Sequence, residues 1–285
     1  MRLVLASGKG GTGKTSIATS LAVVAAEAGV CATYVDCDVE EPNGHLLLRP
    51  ELRESADVEV PVPVVDVEAC TRCGVCAAEC QFNALASLPD GIVTFPQLCH
   101  GCGACSLVCP VDAIHEEYRK IGSVAAGSAG SLAFLGGTLN VGEATGVPVV
   151  RALKSRTRFD GLYVLDAPPG TGCAAVEVMR DADVLLLVTE PTPFGLHDLR
   201  LAVAASRELR ASASVIINRA DVGDDRVREF CSSEGLRVAA EIPNSIEVAR
   251  AYAAGDVPLS ADPSFRSAIC RLYDDAAAFA GSRDS

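Results

Sequence analysis

The 285-residue sequence contains no tryptophan and few other aromatics, five Tyr and eight Phe. A core built from it must be aliphatic, and abundant Val, Leu, Ile and Ala suit a parallel sheet buried on both faces. Lysine is also scarce, restricted to Lys9, Lys14, Lys120 and Lys154. With 24 basic against 37 acidic residues the net charge is −13, which repels polyanions and argues against a broad nucleic-acid-binding face. No apolar run approaches the ~20 residues of a membrane span, and no secretory pattern precedes the first apolar segment. These absences predict no nucleic-acid or membrane partner and a cytoplasmic location. Cysteine, by contrast, is abundant, with 13 residues. In a short secreted chain that number would suggest disulfides. In a chain long enough for a sizeable core, metal ligation in a reducing compartment is the better expectation.

The pattern of apolar segments predicts an α/β protein. Strands are expected at 2–7, 31–36, 161–166, 183–189, 213–218 and 237–242, with helices at 14–28, 194–209, 224–234 and 245–254. A last helix carries an apolar stripe of Phe265, Ile269, Leu272, Tyr273, Ala276 and Phe279, expected to dock on the core rather than on a membrane. The rhythm breaks from 50 to 69, around Pro50, Pro61 and Pro63, and again in the Gly/Ala/Ser-rich stretch 122–146, which reads as loops with a hairpin. Strands alternating with helices on both sides of an interruption indicate one doubly wound, mostly parallel sheet carrying a small α+β insert. The expected division is 1–60 and 119–285 for the main domain and 61–118 for the insert.

Between the first strand and helix lies Gly8-Lys9-Gly10-Gly11-Thr12-Gly13-Lys14-Thr15. It has the phosphate-loop pattern of Gly, four residues, Gly, Lys and Ser or Thr. Gly8, Gly10, Gly11, Thr12 and Gly13 let backbone N–H groups converge on phosphate oxygens at a helix N-terminus. Lys14 is expected on the β- and γ-phosphates and the Thr15 hydroxyl on Mg²⁺. Two other segments end in strand-terminal acids, Val35-Asp36-Cys37-Asp38 and Leu165-Asp166-Ala167-Pro168-Pro169-Gly170. Nucleotide switches place such acids near the metal and the γ-phosphate.

Cys70, Cys73, Cys76 and Cys80 are followed by Cys99, Cys102, Cys105 and Cys109, one spacing used twice with an offset of 29 residues. Zinc sites usually pair two Cys-x2-Cys knuckles across a longer spacer, so triplets of cysteine fit zinc poorly and iron–sulfur clusters well. Cys31 and Cys270 read as core thiols and Cys231 as core or semi-exposed. Cys37 and Cys173 adjoin the acidic segments, as small filling residues or as redox or metal-linked thiols.

The early Lys9 makes the loop resemble that of the deviant Walker A ATPases, the group of MinD, ParA, Mrp and the nitrogenase iron protein. The resemblance implies ATP as ligand and a nucleotide-sandwich homodimer, with Lys9 reaching the partner's nucleotide. It further implies Asp38 at the attacking water, Asp36 in the Mg²⁺ shell, Asp166 holding Mg²⁺ through a water, and the Gly170 N–H on the γ-phosphate. Asn218 and Pro243 match its adenine-side positions. The cysteine runs are similar to those of bacterial two-cluster ferredoxins, although Gln81 stands where Pro follows the fourth cysteine, as Pro110 does in the second run. That likeness implies two [4Fe–4S] clusters ligated crosswise, one by Cys70, Cys73, Cys76 and Cys109, the other by Cys99, Cys102, Cys105 and Cys80. The whole chain, including Thr189–Leu199, resembles MinD-superfamily ATPases with an inserted ferredoxin domain.

Three functions stay open on these grounds: an Mg²⁺-dependent ATPase that gates electron transfer, a cluster scaffold of Mrp type, or a MinD-like switch with structural clusters. The expected partners are a second copy in the nucleotide-sandwich homodimer and an unidentified redox or cluster-acceptor protein. Because the insert lies between the two acidic segments, it is expected to sense nucleotide state.

Overall fold

The computed structural model describes residues 1–157 and 161–281, with side chains as far as residue 278. In chain order, β1 (Arg2–Ala6), α1 (Lys14–Glu27) and β2 (Ala32–Asp36) form the first crossover unit. A short α2 (Gly44–Leu48) leads into the long strand β3 (Glu51–Val65). The cysteine segment follows, with α3 (Val75–Glu79), the hairpin β4 (Leu85–Leu88) and β5 (Gly91–Thr94), and α4 (Ala104–Leu107). The chain returns along β6 (Ile114–Ala129) and β7 (Leu132–Leu139), then α5 (Val147–Ser155) and β8 (Leu162–Asp166). It continues through α6 (Cys173–Met179), β9 (Val184–Thr189), α7 (Pro193–Glu208) and β10 (Ala213–Asn218). It ends with α8 (Arg226–Ser233), β11 (Arg237–Ile242), α9 (Ile246–Ala253) and α10 (Pro263–Gly281).

Among the described residues the strands form one nine-stranded sheet in the order β11-β10-β9-β1-β8-β2-β7-β6-β3, and β4 and β5 pair separately. From β11 to β7 every pairing is parallel; β6 and β3 add an antiparallel edge. Successive residues of each central strand point to opposite faces. Leu3, Leu5, Tyr34, Leu186 and Val188 pack under α1 and α10, whereas Val4, Val35, Leu185 and Leu187 pack under α5 to α8. The expected doubly wound, mostly parallel sheet is therefore present. The stripe Phe265, Ile269, Leu272 and Ala276 is buried in the first of these cores; the Phe279 side chain lies outside the described residues.

The expected break at 50–69 is mostly strand. β3 runs for 15 residues with Pro61 and Pro63 inside it. Proline is tolerated because β3 is the sheet edge, where a missing N–H faces outward. The stretch 122–146 contains the second half of β6 and all of β7, joined at Gly130 in the left-handed region, φ +61°. Small residues are required here: a Cβ at Gly127 would lie 2.2 Å from the Glu51 carbonyl oxygen. Cys31, expected in the core, is exposed, because it precedes β2 in the turn after α1.

The pair β3–β6 runs from Glu51 opposite Ser128 to Val65 opposite Ile114, with its register shifting at Leu52/Glu54 and again at Val58/Glu59. Its middle buries Val58, Val60, Val62, Ile121 and Val124 in the same core as α5, and its far end carries residues 66–113. The expected boundaries at 60/61 and 118/119 both lie inside these two strands. Gly127→Ala is expected to destabilise the chain by about 1–3 kcal/mol through this backbone clash, read by chemical denaturation. An unchanged midpoint would show that the edge strand tolerates a shift at Glu51.

Candidate functional site

The phosphate loop emerges from β1 and turns into α1 through Gly11 and Gly13, both in the left-handed region, at φ +79° and +86°. It packs closely on its surroundings: a Cβ at Gly8 would lie 2.2 Å from the Asp198 carbonyl oxygen, and one at Gly13 would lie 2.3 Å from Asn218 Nδ2. That Asn218 amide donates to the Thr12 carbonyl at 2.8 Å. Gly8, Gly10, Gly11, Thr12, Gly13, Lys14 and Thr15 thus stand together at the strand end, and all but Gly8 line a cavity of about 330 Å³. Asp38, Asn218 and Pro243 line the same cavity, as do Glu41, Asn43, Arg219 and Tyr252.

Asp36 and Asp166 lie behind the loop, at the ends of the adjacent strands β2 and β8, paired directly in register. Both are fully buried. Lys14 Nζ lies 2.6 Å from Asp166 Oδ1, and the Tyr34 hydroxyl donates to Asp166 Oδ2 at 2.9 Å. Asp36 accepts from the Asp38 N–H at 3.2 Å and from the Gly44 N–H at 2.9 Å, so the chain after β2 is folded around it. Burial, and next the neighbouring charge of Asp166, push Asp36 up to about 7. Asp38 is raised to about 6, chiefly by burial. Burial also pushes the Cys37 thiol, between the two, well above its ordinary value.

Lys9 lies 3.2 Å from Glu190 Oε2. The other Glu190 oxygen is paired with Arg219, whose own backbone is in the left-handed region at φ +53°. The Gly170 N–H, expected on a γ-phosphate, donates here to the Ser7 carbonyl at 2.9 Å. Tyr34, Glu190 and Arg219 are site residues that spacing did not reveal. The signal available for Tyr34 was an aromatic hydroxyl inside an aliphatic strand, which must find a buried partner.

The residues present fit a nucleotide with Mg²⁺. The Thr12 hydroxyl and Asn43 Oδ1 are buried without a hydrogen-bond partner. Lys14 and Lys9 supply positive charge at the loop. The buried Asp36–Asp166 pair is one cation short, and a divalent ion is bound by carboxylate and hydroxyl oxygens of this kind.

The eight repeated cysteines fall into two groups. Cys70, Cys73, Cys76 and Cys109 line one small cavity; Cys80, Cys99, Cys102 and Cys105 line another. The backbone around them repeats with the sequence. The Arg72 and Gly101 N–H groups donate to Cys70 and Cys99 Sγ, each at 3.4 Å. The Ala84 and Ala113 N–H groups donate to Cys80 and Cys109 Sγ at 3.3 and 3.2 Å. Gly74 and Gly103 start α3 and α4 at φ +75° and +73°. His100 stacks on Phe82, ring centroids 3.8 Å apart. Cys76 and Cys105 are buried, Cys73 and Cys102 exposed. Among the described residues no three His, Cys, Asp or Glu side chains converge on the position of a single metal ion.

A model of the CobQ/CobB/MinD/ParA nucleotide binding domain matches residues 3–259. The chain belongs to this family. An uncharacterized protein of Methanocaldococcus jannaschii is 36% identical over 205 residues, 70% of this chain and 72% of its own. The septum site-determining protein MinD of Pyrococcus horikoshii, solved with Mg-ADP, superposes with a TM-score of 0.59 over 99% of this chain and 98% of its own, at 17% identity. A ferredoxin of Alicyclobacillus acidocaldarius is 43% identical over 42 residues, 15% of this chain and 54% of its own. This MinD/ParA relative is thus a P-loop nucleotide-binding protein. Among the described residues no helix is long and apolar enough to cross a membrane.

Because Asp36 holds its proton more tightly folded than unfolded, its contribution to stability is greatest below pH 4 and is lost as pH rises through about 7. Asp36→Asn is expected to flatten the fall in metal-free melting temperature between pH 5 and 8, and to weaken Mg²⁺-dependent nucleotide affinity at pH 8. Equal slopes in the two proteins would exclude a perturbed Asp36.

Proposed function

We propose that this protein is an Mg²⁺-dependent ATPase whose nucleotide state is coupled to electron transfer through two [4Fe–4S] clusters on the inserted arm. The observation that carries the reading is the crossed grouping of thiols. Cys109 lies with the first triplet and Cys80 with the second, as two-cluster ferredoxin ligation requires. Each cubane thiolate binds its own iron, so the four need not converge on one point as they must around zinc. The N–H donors on Cys70, Cys80, Cys99 and Cys109 suit thiolates and tune a cluster's potential. When bound, such clusters supply one-electron redox centres.

The small size of the lobe supports the same reading. Residues 66–113 pack with the start of β6 in a cluster whose buried members are Cys76, Leu85, Cys105 and Ile114. A unit this small, with half of those side chains thiols, needs a metal centre to hold it. The local likeness to a ferredoxin agrees.

In the ATPase half, Lys14 and the loop amides would hold the phosphates and Thr15 the Mg²⁺, with Asp36 and Asp166 around it and Asp38 at the attacking water. Asn218 and Pro243 line the adenine end. ATP as the nucleotide is supported by the Mg-ADP bound to the MinD neighbour. Lys9, half-buried on Glu190, would leave that partner to serve a second copy in a nucleotide-sandwich homodimer.

A physical connection joins the halves. Arg119 on β6 makes a two-pronged pair with Glu143, both contacts 2.6 Å, and donates to the Pro96 carbonyl at 3.1 Å, three residues before Cys99. Glu143 belongs to the loop after β7. The Leu139 N–H at that strand's end donates to the Val39 carbonyl at 2.7 Å, one residue past Asp38. A Cβ at Gly146, at the loop's other end, would lie 2.6 Å from Val39 and 4.0 Å from Ala174 of α6. Movement of either acidic segment on hydrolysis would therefore press on the arm.

Anaerobic reconstitution is expected to yield about eight irons per chain, and an EPR signal that differs between ADP and an ATP analogue. The paired variant Cys70→Ser/Cys109→Ser should retain about four irons, whereas Cys70→Ser/Cys80→Ser should lose both clusters. Equal losses in the two variants would sink the crossed assignment. Transfer of the clusters to an apo-ferredoxin on ATP addition would favour a scaffold role instead. Arg119→Met is expected to leave the iron count unchanged while reducing the nucleotide-dependent EPR difference several-fold. A full difference in that variant would show that the connection does not run through Arg119.

A further inference from the structure

We propose that Tyr34 is a positioning residue of the nucleotide site: its hydroxyl orients the Asp166 carboxylate for Mg²⁺ and links that carboxylate to the helix from which the cysteine arm springs. The inference rests on the reading of Asp166 as the carboxylate on the Mg²⁺ side.

Asp166 has both oxygens engaged, Oδ1 by Lys14 at 2.6 Å and Oδ2 by Tyr34 at 2.9 Å. Phosphate binding draws the loop lysine onto the nucleotide. Tyr34 would then be the side chain left to orient Asp166 toward a bound Mg²⁺. The phenol cannot drift. Its ring is fully buried and stacks on Phe134, centroids 6.0 Å apart. Gly44 also lies against it, where a Cβ would come within 2.4 Å of the Tyr34 hydroxyl oxygen. Gly44 is the first residue of α2, donates its N–H to Asp36 at 2.9 Å, and stands seven positions before the start of β3. One hydroxyl thus touches the carboxylate of β8 and the root of the arm. Packing alone does not explain it, since a phenylalanine would fill the same space without burying a hydroxyl.

The test uses the full chain and a fluorescent ADP, titrated with and without Mg²⁺. Tyr34→Phe should bind the nucleotide in EDTA as the parent does, within about twofold. The gain in affinity on adding Mg²⁺ should fall by about tenfold, the size expected for loss of one hydrogen bond to a charged group. Gly44→Ala keeps the hydroxyl but displaces it, and should reproduce the loss. Asp166→Asn is the reference and should abolish the Mg²⁺ effect. If Tyr34→Phe keeps the parental Mg²⁺ curve while Asp166→Asn loses it, Tyr34 is a core filler and the proposal is wrong. If Asp166→Asn keeps it as well, the reading of Asp166 fails and the proposal falls with it.

Discussion

The buried pair Lys14–Asp166 is the constraint around which the rest of the site is arranged. It joins the phosphate loop to β8 across the centre of the sheet, 2.6 Å apart, with Lys14 7% and Asp166 0% exposed. A pair this deep gives little net stability, but leaving either partner alone costs several kcal/mol. The protein therefore holds Lys14 in place until something of equal charge can take it. A nucleotide polyphosphate is such a group, and Asp166 then requires a cation in exchange. Exchange of one partner for another at a buried carboxylate is a two-state element, the kind that converts ligand binding into movement.

Its surroundings are charged to respond. Asp36 lies beside Asp166 in register, and its affinity for a proton is raised first by burial and then by the neighbouring charge of Asp166. The divalent ion proposed for this site would relieve both acids at once. Asp36 also holds the N–H groups of Asp38 and Gly44, so any change in its charge reaches the chain between β2 and α2. The arm begins just beyond that segment and comes back through β7, whose end is bonded to Val39. The cysteine lobe is thus carried on strands continuous with the main sheet and tied at both ends to the segments around the acids. A lobe joined by a flexible linker would have no such contact with the site.

Much of this was legible in the sequence because it is local. The phosphate loop, the apolar strands ending in Asp36 and Asp166, and the repeated cysteine runs announce themselves within about ten residues. The arm was not legible, since Pro61 and Pro63 are strand breakers everywhere except on an edge, and β3 is recognisable as an edge only once the sheet order is known. The hairpin expected in the Gly/Ala run is formed by β6 and β7, but the loops expected around it are strand, because the small residues answer close backbone approach rather than looping. Tyr34, Glu190 and Arg119 were missed for one reason: each acts through a partner distant in sequence, such as Asp166 for Tyr34, 132 residues away. Single-strand patterns cannot carry that information.

The same distinction bears on why the cysteine lobe sits where it does. Nothing in the local backbone of residues 66–113 requires an ATPase: its two halves repeat each other, down to matching N–H donors on Cys70 and Cys99 and on Cys80 and Cys109. What is particular to this chain is the mounting. Arg119 stands on β6 opposite Val60, yet its guanidinium bridges a carbonyl beside Cys99 and a carboxylate in the loop that packs on Val39. The Arg119–Glu143 pair is only partly exposed, at 24% and 8%, so it is screened less than a surface pair and both charges are held in fixed geometry. An insert independent of the nucleotide site would need no such brace. A brace between the second thiol set and the segment after Asp38 is what the proposed coupling calls for, and under that proposal reciprocity requires the state of the cysteine lobe to influence nucleotide affinity as strongly as the nucleotide influences the lobe.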